Sequence, residues 1–100
     1  EAEHIPLMNR VLDYAGDGLV PGGSLANKRF CACGSEIADS VPELLRSVIF
    51  DAQTSGGLLL AVPEEKLERA LALLKEEQEQ AWLVGEVLPE RLDGIVLEIR

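Results

Sequence analysis

The run Gly57-Leu-Leu-Leu-Ala-Val62 is apolar at every position and is closed by Pro63. It lacks the polar–apolar alternation of a strand with one wetted side, so it predicts a strand covered on both faces. A strand of that kind calls for a sheet with helices packed on it. Directly before it stand Gln53, Thr54, Ser55, Gly56 and Gly57, all small or polar. A tight turn accounts for the glycines. An anion-binding loop accounts for glycines and hydroxyls together, because backbone N–H groups of a glycine turn form a concave site to which Thr54 and Ser55 add donors. A phosphate loop, however, needs a lysine after its glycines and a helix to follow. Here no lysine follows and the next segment reads as a strand, so the residues favour a helix-to-strand turn.

The remaining pattern supplies the helices. Leu7, Met8, Val11, Leu12 and Ala15 share one helical face and predict a helix over 7–15, with Gly16 just past its end. The opening 2–6 reads as a short strand ended by Pro6. Residues 17–23, rich in glycine and proline, read as a loop, and 24–40 as mostly irregular. Ser40-Val-Pro-Glu43 has the form of a capping box and opens a short helix whose buried face is Leu44, Leu45 and Val48. Pro63 opens the longest helix, predicted over 64–80 from Leu67, Ala70, Leu71 and Leu74, with Glu64 and Glu65 at the positive end of its dipole. Residues 82–87 and 94–99 read as two final strands, antiparallel neighbours joined through 89–93. One sheet with packed helices, an α/β or α+β architecture, follows.

One hundred residues with 47% hydrophobic content fit one folded domain. The net charge of −9 argues against nucleic acid and against anionic membrane surfaces as partners, since both need a concentrated basic face. No apolar run approaches the length of a membrane span. The chain opens on Glu1 within what reads as structure, which predicts a part of a longer protein.

Other candidates carry less chemistry. Cys31 and Cys33, one residue apart, read as reduced thiols, with a redox or metal role as the other reading; with the single His4 distant in sequence they do not make a zinc site. Val20-Pro-Gly-Gly23 is a second glycine pair, and Asn27, Lys28 and Arg29 could approach an anion beside it. His4 next to Glu3 reads as a surface or strand-edge residue. Trp82 reads as packed against the long helix, with a partner interface as the alternative. Glu76, Glu77 and Glu79 read as a solvated helix end.

The string Asp51-Ala-Gln-Thr-Ser-Gly-Gly-Leu-Leu-Leu-Ala-Val-Pro63 resembles the Asp-Pro-Gln-Thr-Ser-Gly-Gly-Leu-Leu segment of selenophosphate synthetases, or selenide, water dikinases. Leu19-Val-Pro-Gly-Gly-Ser-Leu-Ala-Asn-Lys-Arg29 is similar to that family's Pro-Gly-Gly followed by Asn-Arg, and Leu83-Val-Gly-Glu-Val87 to its closing strand. The motifs stand in the family's order and cover residues 5–87. Ala52 departs from the pattern, replacing a proline and leaving the local φ less restricted.

The resemblance implies that residues 1–100 are the C-terminal domain of a larger synthetase, in the fold shared with aminoimidazole ribonucleotide synthetase: an α+β layered mixed sheet with packed helices, partly ferredoxin-like. It implies a cytoplasmic, homodimeric parent enzyme that converts ATP, selenide and water to selenophosphate, AMP and orthophosphate with Mg2+. An N-terminal ATP-binding domain of the same parent chain would be the partner. The family's catalytic cysteine or selenocysteine, its lysine and its metal-binding aspartates belong to regions without counterpart here. The resemblance therefore assigns no catalytic, cofactor-binding or metal residue to this chain, and implies that it is inactive alone. Asp51, Gln53, Thr54, Ser55, Gly56 and Gly57 are then a structural motif, with Asp51, Thr54 and Ser55 bonded to backbone. The alternative is a non-enzymatic interaction domain diverged from the same fold; a related synthetase or hydrogenase-maturation homologue is a third reading, against which the Gln-Thr-Ser-Gly-Gly string argues.

Overall fold

The computed structural model describes residues 1–53 and 56–100. Among the described residues four α-helices form: α1 Val11–Gly16, α2 Gly22–Cys31, α3 Glu43–Val48 and α4 Glu64–Glu76. A strand β1, Ser35–Ile37, pairs in parallel with β2, Leu97–Ile99, in the register Ser35–Leu97, Glu36–Glu98 and Ile37–Ile99. Short 3-10 turns occupy Ala2–His4 and Ala32–Gly34. Helices α3 and α4 lie between the two parallel strands, and four helices with one small sheet are compatible with an α+β class.

Proline sets the start of α2, α3 and α4. Pro21, Pro42 and Pro63 each stand immediately before the first helical residue with φ between −58° and −56°. The ring fixes φ near the helical value and removes an N–H that would have no partner in the first turn. The Ser40 capping box is not used, because α3 begins after Pro42 and has no side-chain cap bond.

Two helices end alike. After α1, Gly18 adopts φ 80°; its N–H donates to the Ala15 carbonyl at 3.0 Å, and that of Leu19 to Tyr14 at 2.9 Å. After α4, Gln78 adopts φ 62°, with Gln78 N–H donating to Lys75 at 3.1 Å and Glu79 N–H to Leu74 at 2.8 Å. This paired closure satisfies the last carbonyls by way of one left-handed residue, a place that favours glycine. The residue past the end of α1 is thus Gly18, not Gly16, which lies inside the helix and comes close to Leu44 of α3.

The core joins elements far apart in sequence: Ala2, Val41, Leu45, Phe50 and Ile99, flanked by Cys31, Ile37, Ala38 and Ile49. Arg46 of α3 fastens the turn above it, donating to the Val41 carbonyl at 2.8 Å and the Ala38 carbonyl at 2.7 Å.

Several expected elements differ. Residues 2–4 form a 3-10 turn, and the first helix is only Val11–Gly16, because Arg10 sits at φ 65° and interrupts the 7–15 pattern. Residues 22–31, expected as loop and irregular chain, are helical, and 35–37 form a strand. Residues 57–62 and 82–87 carry no strand, and Leu58 and Leu59 are 88% and 84% exposed. A strand is defined by its ladder, and no neighbouring segment among the described residues offers one there. The final segment pairs with β1 rather than with 82–87, since Ile99 enters the core. The longest helix stops at Glu76, where Gln78 turns left-handed.

Candidate functional site

Residues 50–57 were singled out by sequence, and α2 is what holds their beginning. Ser24, 1% exposed, donates its hydroxyl to Asp51 Oδ1. One turn along the same face, Asn27 Nδ2 donates to the Phe50 carbonyl at 3.1 Å. Gly23 comes so close to Ala52 that a Cβ there would lie 3.3 Å from the Ala52 Cβ. The Asp51 N–H closes a turn on the Val48 carbonyl at 2.9 Å, tying the segment to the end of α3. Lys28 Nζ reaches Glu43 of α3 at 3.3 Å, so α2 also grips the start of that helix.

Asp51 therefore accepts from a side-chain hydroxyl, where a backbone donor was expected. The Gln53 side chain bends over Gly56, where a Cβ would lie 3.2 Å from Oε1. Gly57 is open to solvent, and Thr54 and Ser55 lie outside the described residues. A small cavity of about 30 Å³ lies beside the junction, lined by Val11, Ala15, Leu19, Ser47, Val48 and Asp51 among others.

Ser24 was not singled out from the sequence. The signal was present in an unusual form: Ser24, Asn27, Lys28 and Cys31 follow the i, i+3, i+4, i+7 spacing, but the inward stripe is mostly polar, so an apolar-period search passes over it. Asn27 and Lys28, read as able to approach an anion, instead bond to Phe50 and Glu43.

A second polar cluster closes the sheet. Arg91 Nη1 donates to Glu36 at 2.6 Å and Glu98 at 3.2 Å, and Nη2 to Asp93 at 2.5 Å. Glu36 and Glu98 face one another across the β1–β2 register, and a guanidinium between them offsets the like-charge repulsion. Bonds donated to Asp93 first, and then to Glu36, push the Arg91 guanidinium above its ordinary value. The Arg91 bond, followed by the Ile95 N–H, holds the Asp93 carboxyl below its ordinary value of 3.8. Glu98 also pairs with Arg100 Nε at 2.7 Å, so these carboxylates are engaged as acceptors by two cations, and their arrangement is that of a strand clamp.

The other candidates are dispersed. His4 is half-exposed, with Nε2 3.9 Å from Glu3. Cys31 is half-buried against the core and Cys33 exposed, both as free thiols. Trp82, 53% exposed, borders an open cavity of about 470 Å³ with Glu3, His4, Ile5, Pro6 and Leu83. Glu76, Glu77 and Glu79 are exposed. Among the described residues no group of three His, Cys, Asp or Glu side chains could hold a metal ion. The described residues therefore do not by themselves assemble a three-ligand Mg2+ site. The Gly22–Gly23 pair does not form an open phosphate loop: it is the first turn of α2 with Ala52 against it, and the neighbouring cation Lys28 is paired.

Fold and junction together define an α+β domain in which a glycine-opened helix holds the segment leading into a glycine-rich string. Residues 25–98 match the family described as AIR synthase related protein, C-terminal domain, and the chain belongs to that family. Over 96 residues it is 42% identical to a selenide, water dikinase of Nitratidesulfovibrio vulgaris (strain DP4), covering 94% of this chain and 27% of that protein. It is 40% identical over 98 residues to a selenide, water dikinase of Pelobacter propionicus, with 97% and 28% covered. A selenide, water dikinase of Myxococcus xanthus is 39% identical over 87 residues, with 87% and 25% covered. The chain spans about a quarter of the length of these curated relatives. No solved structure matches the chain.

Proposed function

We propose that residues 1–100 are the single C-terminal domain of a selenophosphate synthetase, an ATP-dependent selenide, water dikinase. The parent enzyme takes ATP, selenide and water to selenophosphate, AMP and orthophosphate with Mg2+, in the cytoplasm, as a homodimer. The nucleotide and metal sites lie in its N-terminal domain, and this domain completes the fold without touching the reacting atoms. Asp51, Gln53, Thr54, Ser55, Gly56 and Gly57 serve as a structural junction against that N-terminal domain. In the assembled enzyme the apolar 57–62 segment joins a layered mixed sheet, partly ferredoxin-like, of which β1–β2 is one part.

The observation that carries this reading is the identity of 40–42% to selenide, water dikinases over 94–97% of the chain. The test is selenide-dependent release of AMP from ATP by the full-length parent, alongside calorimetric titration of this chain alone with Mg-ATP. The expected result is AMP release by the parent and negligible heat from the chain. A parent without AMP release favours the interaction-domain reading, and stoichiometric Mg-ATP binding by the chain alone overturns the division of labour.

A further inference from the structure

Four contacts converge on three consecutive residues. Asn27 holds the Phe50 carbonyl, Ser24 holds the Asp51 carboxylate, the Val48 carbonyl holds the Asp51 N–H, and Gly23 admits Ala52. Immediately beyond them the chain enters Gln53 and the glycine pair. Ser24 contributes a polar atom to the interior at 1% exposure, and a buried hydroxyl is retained at little cost only when its partner is in place. The partner is a carboxylate, which makes the bond charge-assisted and stronger than a neutral one. The contact joins residues 27 apart in sequence, so it fixes the path of the second segment relative to α2 rather than shaping a local turn.

We propose that Ser24 is a positioning residue: its bond to Asp51 sets where the chain leaves α3 and enters the Gln53 string. The effect of this latch on turnover rests on the selenophosphate reading given above. Ser24 acts through Asp51 and meets no substrate itself. What it supplies is a hydroxyl donor at a fixed point of α2, and what Asp51 must supply is an acceptor oxygen, whose charge strengthens the bond without being its requirement.

The experiment uses the full-length parent protein with Ser24→Ala, Asp51→Ala and Asp51→Asn. Hydrogen exchange followed by mass spectrometry reads the Asp51 amide, and initial rates read kcat and KM for ATP. In Ser24→Ala and Asp51→Ala we expect the Asp51 amide to exchange about tenfold faster. We expect kcat to fall about tenfold with the KM for ATP unchanged, because misplacement acts on the reacting geometry rather than on ground-state binding. Asp51→Asn, whose amide oxygen can still accept from Ser24 through a weaker neutral bond, should rescue much of both readouts. Wild-type exchange and kcat in Ser24→Ala overturn the latch. So does an Asp51→Asn variant as slow as Asp51→Ala, which would make the negative charge itself the requirement. A wild-type parent that releases no AMP overturns the selenophosphate reading, and the Asp51 exchange rate in Ser24→Ala still decides the latch.

Discussion

Single side chains settle the local geometry at several points. Arg46 has a side chain 22% exposed and satisfies the carbonyls of Ala38 and Val41, which sit at the rim of the core. Arg46→Ala removes both bonds and leaves the two acceptors poorly served; the expected loss is about 2 kcal/mol, measured by urea denaturation. Arg46→Lys should recover only part of it, since one ammonium does not reproduce a planar fork. The left-handed residues give a paired prediction of opposite sign. Gly18→Ala places a Cβ at φ 80° and should cost about 1–2 kcal/mol. Gln78→Gly relieves the same strain at φ 62°, offset by the freer unfolded glycine, and should gain about 0.5–1 kcal/mol. Thermal melts of the two variants side by side check both signs.

At the scale of elements, the Arg91 clamp decides how the last strand pairs. Residues 94–99 read as a strand, and Ile99 is buried, but the sequence carries no information about which neighbour the strand finds. That choice falls to β1, with Ile37 and Ile99 meeting at the core and Arg91 bridging the facing glutamates. Asp93 has its folded pKa held below the unfolded value, so its contribution is complete above the ordinary carboxylate range and fades as pH falls through the folded value. Asp93→Asn should therefore lower stability at pH 7 and make no difference well below pH 3.8, as read from denaturation midpoints of both proteins across pH. The helices show the same division. The start of α4 is legible from Pro63 and its face largely from Leu67, Ala70 and Leu74, with Leu71 exposed, whereas α3 begins after Pro42 and not at the Ser40 capping box. Helix α2 is not legible, because Gly22 and Gly23 each disfavour helix by about 1 kcal/mol and its inward stripe is polar. Contacts with 50–52 and Glu43 offset that intrinsic cost.

For the whole molecule, the core is small and much apolar surface stays in water. The radius of gyration is 15.1 Å, against about 13 Å for a compact domain of this length. Leu58, Leu59, Val87, Leu92 and Val96 are all more than four-fifths exposed. Exposed runs of this kind mark surfaces made to be covered, which supports a parent chain that buries them. In the full-length parent Leu59→Asp should lower the melting temperature by several degrees, as burial of a carboxylate in an apolar contact would. An unchanged melting temperature would mean that Leu59 remains solvated there too. Sequence alone determined the proline-set start of α4 and singled out residues 51–57, because φ restriction and an unusual residue string are written into neighbouring residues, while periodicity left α/β and α+β both open. Only the tertiary structure decided that α2 is a helix, that β2 lies parallel to β1, and that Ser24 meets Asp51. Each of these depends on a contact between segments more than 20 residues apart, whose free energy outweighs the local preference of either segment alone.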